Sequence, residues 1–376
     1  MQNIYRTIAE VSLSAIRHNG RIARSRFAQQ KILSVLKADA YGHGISGVVD
    51  AYETFTDWYA VATVEEALRI REKSAKPILL FGPVPEGLIV CAAKAGLTFT
   101  VGSVRYAETL SACLAENGLC ADCHLKIDTG LNRSGIRWRD GSSAMEQIRK
   151  IRSLPNLNFT GTYTHFACGE GSEDWELAFT AQQFDRFQDA CRAMREAGLS
   201  LGIRHCCSTG GALIHPDYRL DLVRLGMLPL GMSYSDESVR ELGLIPALTW
   251  RSRIAQVETL KAGEAISYGC TFRAAHDMRI GIVTCGYADG YHRIYSNRTF
   301  VLAGGRKVPV VGRIAMDYTM IDLTQAPEAD VGSEVILLGS DGKNTVSAQE
   351  ISELGQSVSG EVTCTISPRV PRIYTD

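Results

Sequence analysis

Between about residue 30 and residue 228 the chain alternates short apolar or β-branched runs with helical stretches, eight times over. Parallel strands need a long crossover between them, and a helix is the usual one. Eight strand–helix units in about 200 residues predict closure into a (β/α)8 barrel of the TIM type. The expected strands are 32–36, 58–63, 77–81, 97–101, 123–127, 159–164, 201–206 and 221–224. Between them, 64–73 reads as a helix with Thr63 as N-cap and Glu65 and Glu66 in its first turn, where the helix dipole favours acids. Two more helices, 104–117 and 176–197, stop at Gly118 and Gly198.

Beyond Asp236 the pattern becomes one of short β-type runs separated by glycines and charged turns: 250–260, 265–268, 280–285, 299–302, 307–311, 319–323 and 335–338. One helix-like patch lies at 347–354, and 4–11 alternates as a strand that can join this part. The expected organisation is an α/β barrel over 11–236 and a mostly-β domain from 1–10 and 237–376. A length of 376 residues accommodates both.

A formal net charge of −1 gives no electrostatic case for nucleic acid or an anionic membrane surface. The first residues lack the basic start and apolar core of a signal peptide, and no apolar run reaches the roughly 18–20 residues that span a bilayer. The expected location is the cytoplasm. The eleven cysteines are an odd number in a chain of this size, so buried, reduced thiols are expected for most of them. Cys120-Ala-Asp-Cys123 leads into a strand rather than opening a helix, which disfavours a redox role. No second CxxC or histidine pair completes a metal site.

In such a barrel, reactive residues collect at the carboxyl ends of the strands. The first strand ends in Lys37, the fifth in Lys126-Ile-Asp-Thr-Gly-Leu-Asn-Arg133, the sixth in Thr164-His165, the seventh near Ser208-Thr209-Gly-Gly211 and the eighth in Arg224-Leu-Gly226-Met227. Singly, a strand-end lysine is usually a solvated boundary residue, a histidine a satisfied core residue and Ser208–Gly211 a turn. Together they place amines, an imidazole, guanidinium groups and glycine-rich turns at one face. A lysine at the base of a pocket can lose its proton by desolvation and form imines, and glycine-rich turns offer N–H groups to a phosphate. That combination is what pyridoxal 5'-phosphate (PLP) requires.

Lys37-Ala-Asp-Ala-Tyr-Gly-His-Gly44 resembles the PLP-lysine signature of alanine racemases. Asp128-Thr-Gly-Leu-Asn-Arg-Ser-Gly135, Thr164-His-Phe-Ala167, Ser267-Tyr-Gly-Cys-Thr-Phe272, Gly286-Tyr-Ala-Asp-Gly290, Val311-Gly-Arg-Ile-Ala-Met-Asp317 and Arg369-Val-Pro-Arg372 follow in that family's order and span nearly the whole chain. The resemblance implies a PLP barrel followed by a β-domain, a homodimer whose partner chain completes each active site, and interconversion of L- and D-alanine. It implies Lys37 as the PLP-bonded lysine and one base, with Tyr268 of the partner chain as the opposing base. Arg133 and the Met316 N–H would bind the substrate carboxylate, with Lys126, often carbamylated in the family, and Asp317 in support. Tyr41, Thr209, Gly226 and Met227 would hold the phosphate. Arg224 would face the pyridine nitrogen, and His165 would link Arg224 to Tyr268.

The chain departs from the family in places. A tyrosine usually precedes Arg-Val-Pro-Arg, where this chain has Pro368; that predicts weaker PLP retention and room for a side chain larger than methyl, with serine as a second substrate. The usual Asn-Ser pair reads Ser208-Thr209, the usual Arg-Pro-Gly reads Arg224-Leu-Gly226, a family tyrosine is Leu230, and an entrance aspartate reads Glu170. The competing readings are a serine or broad-specificity racemase, a decarboxylase of related architecture, which lacks its His-x-Gly-Ser-Gly phosphate motif here, and a non-enzymatic PLP carrier, which would lack the second domain.

Overall fold

The computed structural model describes residues 6–139, 141–233 and 235–376. Its strands in chain order begin with β1 (Thr7–Ser12), β2 (Lys31–Val35), β3 (Trp58–Val61), β4 (Ile78–Leu80), β5 (Thr98–Val101), β6 (Ala121–Asp128) and β7 (Ile136–Arg137). They continue with β8 (Leu157–Tyr163), β9 (Ile203–His205), β10 (Leu222–Leu225), β11 (Leu248–Leu260), β12 (Ala265–Ile266) and β13 (Phe272–Arg273). The last are β14 (Met278–Val283), β15 (Phe300–Ala303), β16 (Arg306–Pro309), β17 (Thr319–Asp322), β18 (Glu334–Ser340), β19 (Thr345–Val346) and β20 (Arg372–Thr375). The chain divides into two compact units: 19–40 with 48–229, and the chain up to His18 with 41–47 and 230–376.

The first unit is the barrel. Its strand order is β10-β2-β3-β4-β5-β6-β8-β9, every pair parallel, and all eight expected strands are present. Strands covered by helices on one side and by barrel filling on the other are buried on both faces. Accordingly β3, β4, β5 and β10 are buried at every residue. The gap between β9 and β10 is bridged by Asp221 N–H to Arg204 O (3.2 Å) and Arg224 N–H to Cys207 O (3.1 Å), backed by the Arg204–Asp221 ion pair (2.9 Å).

The helices form where the sequence supplies caps. Thr63 Oγ1 accepts from Glu66 N–H and the Glu66 carboxylate accepts from Thr63 N–H, a reciprocal cap that starts the helix Val64–Arg71. The helix Asp174–Glu196 buries Thr180, Gln183, Phe187, Ala190, Cys191 and Met194, one stripe at three-to-four-residue spacing.

The second unit is mostly β. Its axis is the long strand β11, which pairs with β1 and β18 along its first half and, after a bulge between Ile254 and Gln256, with β14. The alternating burial of Leu248, Trp250, Ser252 and Ile254 turns one face inward. β1 joins this sheet, flanked by β11 and β20; residues 4 and 5 of the expected first strand lie outside the described residues. The expected strand 265–268 stops at Ile266, because Ser267 (φ 67°) and Gly269 (φ 72°) turn the chain back to pair with Phe272–Arg273. The short strand β19, the strand β20 and the helix Ser359–Cys364 carry no apolar period long enough to announce them.

All eleven cysteines are free, but only five are buried, and Cys91, Cys120 and Cys270 are exposed, which corrects the expectation of mostly buried thiols. Among the described residues no helix is long and apolar enough to cross a membrane.

Gly20 in the helix Leu13–Arg26 illustrates how tightly the barrel unit packs: a Cβ there would come within 2.1 Å of the buried Phe55 ring. Alanine improves helix propensity by about 1 kcal/mol, but overpacking a filled site costs about 1–3 kcal/mol. Gly20→Ala is therefore expected to lower the urea midpoint at unchanged m-value, read by circular dichroism.

Candidate active site

The carboxyl ends of the barrel strands carry the expected residues. Strand β2 ends at Val35, and after buried Leu36 comes Lys37, whose Nζ makes no hydrogen bond or ion pair among the described residues. Lys37 is exposed rather than sunk at the base of a pocket, because it lies two residues past the strand, outside the barrel filling. The four residues that follow, Ala38 to Tyr41, all have φ between 52° and 56°, a turn of left-handed helix built from non-glycine residues. Each such residue costs about 1–2 kcal/mol. Local bonds sustain it: Ala40 N–H to Leu36 O (2.9 Å) and Asp39 N–H to the Glu66 carboxylate (3.3 Å).

Strand β6 supplies Lys126 and Asp128. The Asp128 carboxylate accepts from the N–H groups of Gly130 (2.9 Å), Asn132 (3.0 Å) and Arg133 (3.0 Å), folding the loop that presents the exposed Arg133 side chain. Lys126 is buried and donates to Ser134 Oγ (2.8 Å). Burial, reinforced by the nearby Arg133 and Arg224 cations, pushes its ammonium down to about 8.

Arg224, on β10, is buried and has no ion-pair partner among the described residues. Its NH1 donates to His205 Nδ1 (3.0 Å), and its NH2 donates to His165 Nδ1 (2.8 Å), Cys206 O (2.7 Å) and Thr164 O (3.1 Å). Its Nε–H has no partner among the described residues. Because a guanidinium only donates, His165 must accept at Nδ1 and carry its proton on Nε2. Burial, with Arg224 beside it, holds His165 well below the usual imidazole range. Lys37 and Lys126 lie close enough to add to that effect. The loop after β8 is fixed by buried Gln183, which donates to His165 O (3.3 Å) and accepts from Ala167 N–H (2.8 Å).

Thr209 is buried, and its Oγ1 accepts from Gly226 N–H (3.2 Å), tying the turn after β9 to the one after β10; Met227 follows, half-buried. Glu170 lies against Gly210, where a Cβ would meet its Cγ at 2.1 Å. The barrel unit thus gathers Lys37, Lys126, Arg133, His165, Thr209, Arg224, Gly226 and Met227.

Tyr41, Tyr268, Met316 and Asp317 belong to the β-rich unit. There Asp289, buried, accepts from Arg6 (2.7 and 2.8 Å) and pairs with Arg369 (3.0 Å), while Arg369 also pairs with Asp317 (2.7 Å). Tyr287 and Ala288 donate their N–H groups to Ala315 O and Met316 O (both 3.0 Å), possible because Gly286 has no Cβ to strike those carbonyls. The turn bearing Tyr268 is held by Ser267 Oγ to Arg313 O (2.5 Å). Tyr268 is 68% exposed and Met316 53% exposed. The Met316 N–H makes no hydrogen bond among the described residues. In the same unit Arg372 donates through Nε to Gly42 O (2.9 Å), and Tyr374 Oη donates to His43 O (3.2 Å).

Sequence reasoning passed over His205, His124 and Gln183. The signal for the first two was present: an imidazole inside an otherwise apolar barrel strand needs a polar partner. Among the described residues no cluster suits a metal ion.

Residues 11–233 match the alanine racemase N-terminal domain family and residues 247–374 the alanine racemase C-terminal domain family. The chain is 35% identical over 371 residues to the alanine racemase of Halothermothrix orenii, covering 98% of this chain and 96% of that protein. The crystal structure of alanine racemase from the D-cycloserine producing Streptomyces lavendulae superposes with a TM-score of 0.92 at 31% identity, covering 100% of this chain and 98% of that one. That of Bacillus anthracis with bound L-Ala-P gives 0.91 at 31% identity, covering 100% and 96%.

The Lys126 value fixes a pH dependence. In the unfolded chain the ammonium titrates near 10.5, in the folded chain near about 8, so the folded state binds fewer protons between these values. Stability contributed by this group therefore rises with pH from about 8 towards 10.5 and is level below. Urea unfolding as a function of pH is expected to show a shallower rise for Lys126→Met than for the parent chain.

Proposed function

We propose that this chain, which belongs to the alanine racemase family, interconverts L- and D-alanine with PLP held at the carboxyl ends of the barrel strands. The observation that carries this reading is Arg224, whose NH2 and one NH1 hydrogen are held by carbonyls and neutral imidazoles while its Nε–H, with no partner among the described residues, is available to an acceptor such as a pyridine nitrogen. PLP, when bound, supplies an electron-withdrawing ring that lowers the cost of negative charge at the substrate Cα. A guanidinium cannot give up its proton at ordinary pH, so Arg224 leaves the ring nitrogen unprotonated and moderates that electron withdrawal. This restraint favours rapid return of the proton to Cα over transamination.

The residues divide the remaining work. Lys37 Nζ holds the cofactor and exchanges a proton on one face of Cα; Tyr268 of the partner subunit does so on the other. His165, which can only donate from Nε2, stabilises the phenolate of that tyrosine rather than competing for its proton. Arg133 and the unpaired Met316 N–H bind the substrate carboxylate, with Asp317 holding the Met316 turn through Arg369. Lys126, partly neutral near physiological pH, is competent to add carbon dioxide and become an anion that pairs with Arg133. Tyr41, Thr209, Gly226 and Met227 hold the phosphate. The exposure of Tyr268 and Met316, with Tyr287 and Tyr318 exposed in the same unit, supports a homodimer in which a second copy covers this face. The names of the relatives give no support to serine as a substrate.

Deuterium exchange at alanine Cα, followed with added PLP, tests the reaction, and chain mixing tests the shared site. Lys37→Ala and Tyr268→Phe are each expected to abolish most racemisation. Mixed dimers of the two are expected to recover activity, since one of the two sites then has both bases; no recovery in verified mixed dimers contradicts the scheme. Arg224→Glu is expected to raise the ratio of half-transamination to racemisation several-fold, measured as pyridoxamine phosphate formed per alanine inverted.

A further inference from the structure

His205 and His124 continue from Arg224 into the barrel interior, and both are fully buried. His205 lies flat on the Tyr163 ring (4.6 Å between centroids, 5° between planes), and His124 packs against Trp58 (5.2 Å). His205 Nε2 and His124 Nδ1 are 3.0 Å apart. The proton order is forced from one end. Arg224 NH1 donates to His205 Nδ1, so a neutral His205 carries its proton on Nε2 and donates it to His124 Nδ1. His124 then carries its own proton on Nε2, which has no partner among the described residues. It points at Gly161, where even a Cβ would come within 2.5 Å of that nitrogen.

Both imidazoles are held neutral by burial, His124 down at about 4 and His205 well below the usual range, with Arg224 adding to the effect on His205. An orphaned buried N–H is a cost that an apolar residue at position 124 would avoid. What His124 supplies in return is the acceptor that fixes the tautomer of His205. A carboxylate in place of His205 would orient Arg224 as well, but would neutralise it; two neutral imidazoles orient the guanidinium and leave its charge intact.

We propose that His205 and His124 are positioning residues of the racemase site, a two-imidazole chain that fixes the guanidinium of Arg224 and keeps its Nε–H on the cofactor's ring nitrogen. The inference rests on the reading that Arg224 faces that nitrogen, and the test separates the two. Nitrogen-15 NMR of the histidine side chains in the cofactor-free chain is expected to show His205 and His124 each protonated on Nε2 alone. An Nδ1-protonated or doubly protonated His205 overturns the proposal whatever the variants do.

His124→Gln keeps an acceptor for His205, whereas His124→Leu removes it. With PLP added, His124→Leu is expected to raise the half-transamination ratio several-fold and to leave His205 as a mixture of tautomers, while His124→Gln stays near the parent on both. An unchanged ratio in folded His124→Leu, with Arg224→Glu raising it, overturns the positioning role and leaves the function standing. An unchanged ratio in Arg224→Glu overturns the functional reading and this inference with it. If His124→Leu does not fold, the NMR tautomers together with His205→Leu against His205→Gln, which remove and retain an acceptor for Arg224, decide in the same way.

Discussion

A buried guanidinium with no anion beside it is the constraint on which the barrel site turns. Removing the Arg224 charge from water is expensive, and a carboxylate would be the simple remedy. The chain instead surrounds it with two strand-end carbonyls and two imidazoles. Those acceptors come from the ends of β8, β9 and their following loops, so the arrangement exists only if the parallel barrel sets neighbouring strands in register. The histidines, in turn, have no freedom of tautomer, because the group they face can only donate.

The β-rich unit solves the converse problem. A buried carboxylate, Asp289, is matched by Arg6 and Arg369, and Arg369 passes on to Asp317. These pairs join four sequence-distant segments and so fix the turn that carries Met316. An ion pair of this kind contributes more to specifying one arrangement than to net stability. The longest run of positive φ among the described non-glycine residues lies beside Lys37, in the left-handed turn from Ala38 to Tyr41. Strain of that kind persists where the surroundings over-determine the backbone, as the bonds to Leu36 and Glu66 do.

Much of this was legible beforehand, for physical reasons. The eight barrel strands are short apolar runs bounded by helix caps, and burial on both faces makes such runs stand out. The strand-end lysines and arginines followed from where a barrel places its loops. Other features were not legible. The sequence pattern puts Tyr268 at the end of a strand, because the positive φ of Ser267 leaves no mark in a Ser-Tyr-Gly sequence. The helix Ser359–Cys364 and strand β20 are too short and too polar for a period to show. His124 and His205 were passed over because their roles depend on a contact between strands distant in sequence, β6 and β9, that no local pattern encodes. The strand-end position of Lys37 is legible in the sequence, but its exposure beyond buried Leu36 is not.

The central claim is that Lys37 would carry the cofactor at the barrel end to which Arg224 also belongs. Borohydride reduction of the PLP-loaded chain, followed by peptide mapping by mass spectrometry, tests it most directly. The account predicts a stable pyridoxyl adduct on Lys37 and none on Lys126. An adduct confined to another lysine, or no adduct after full loading, contradicts it.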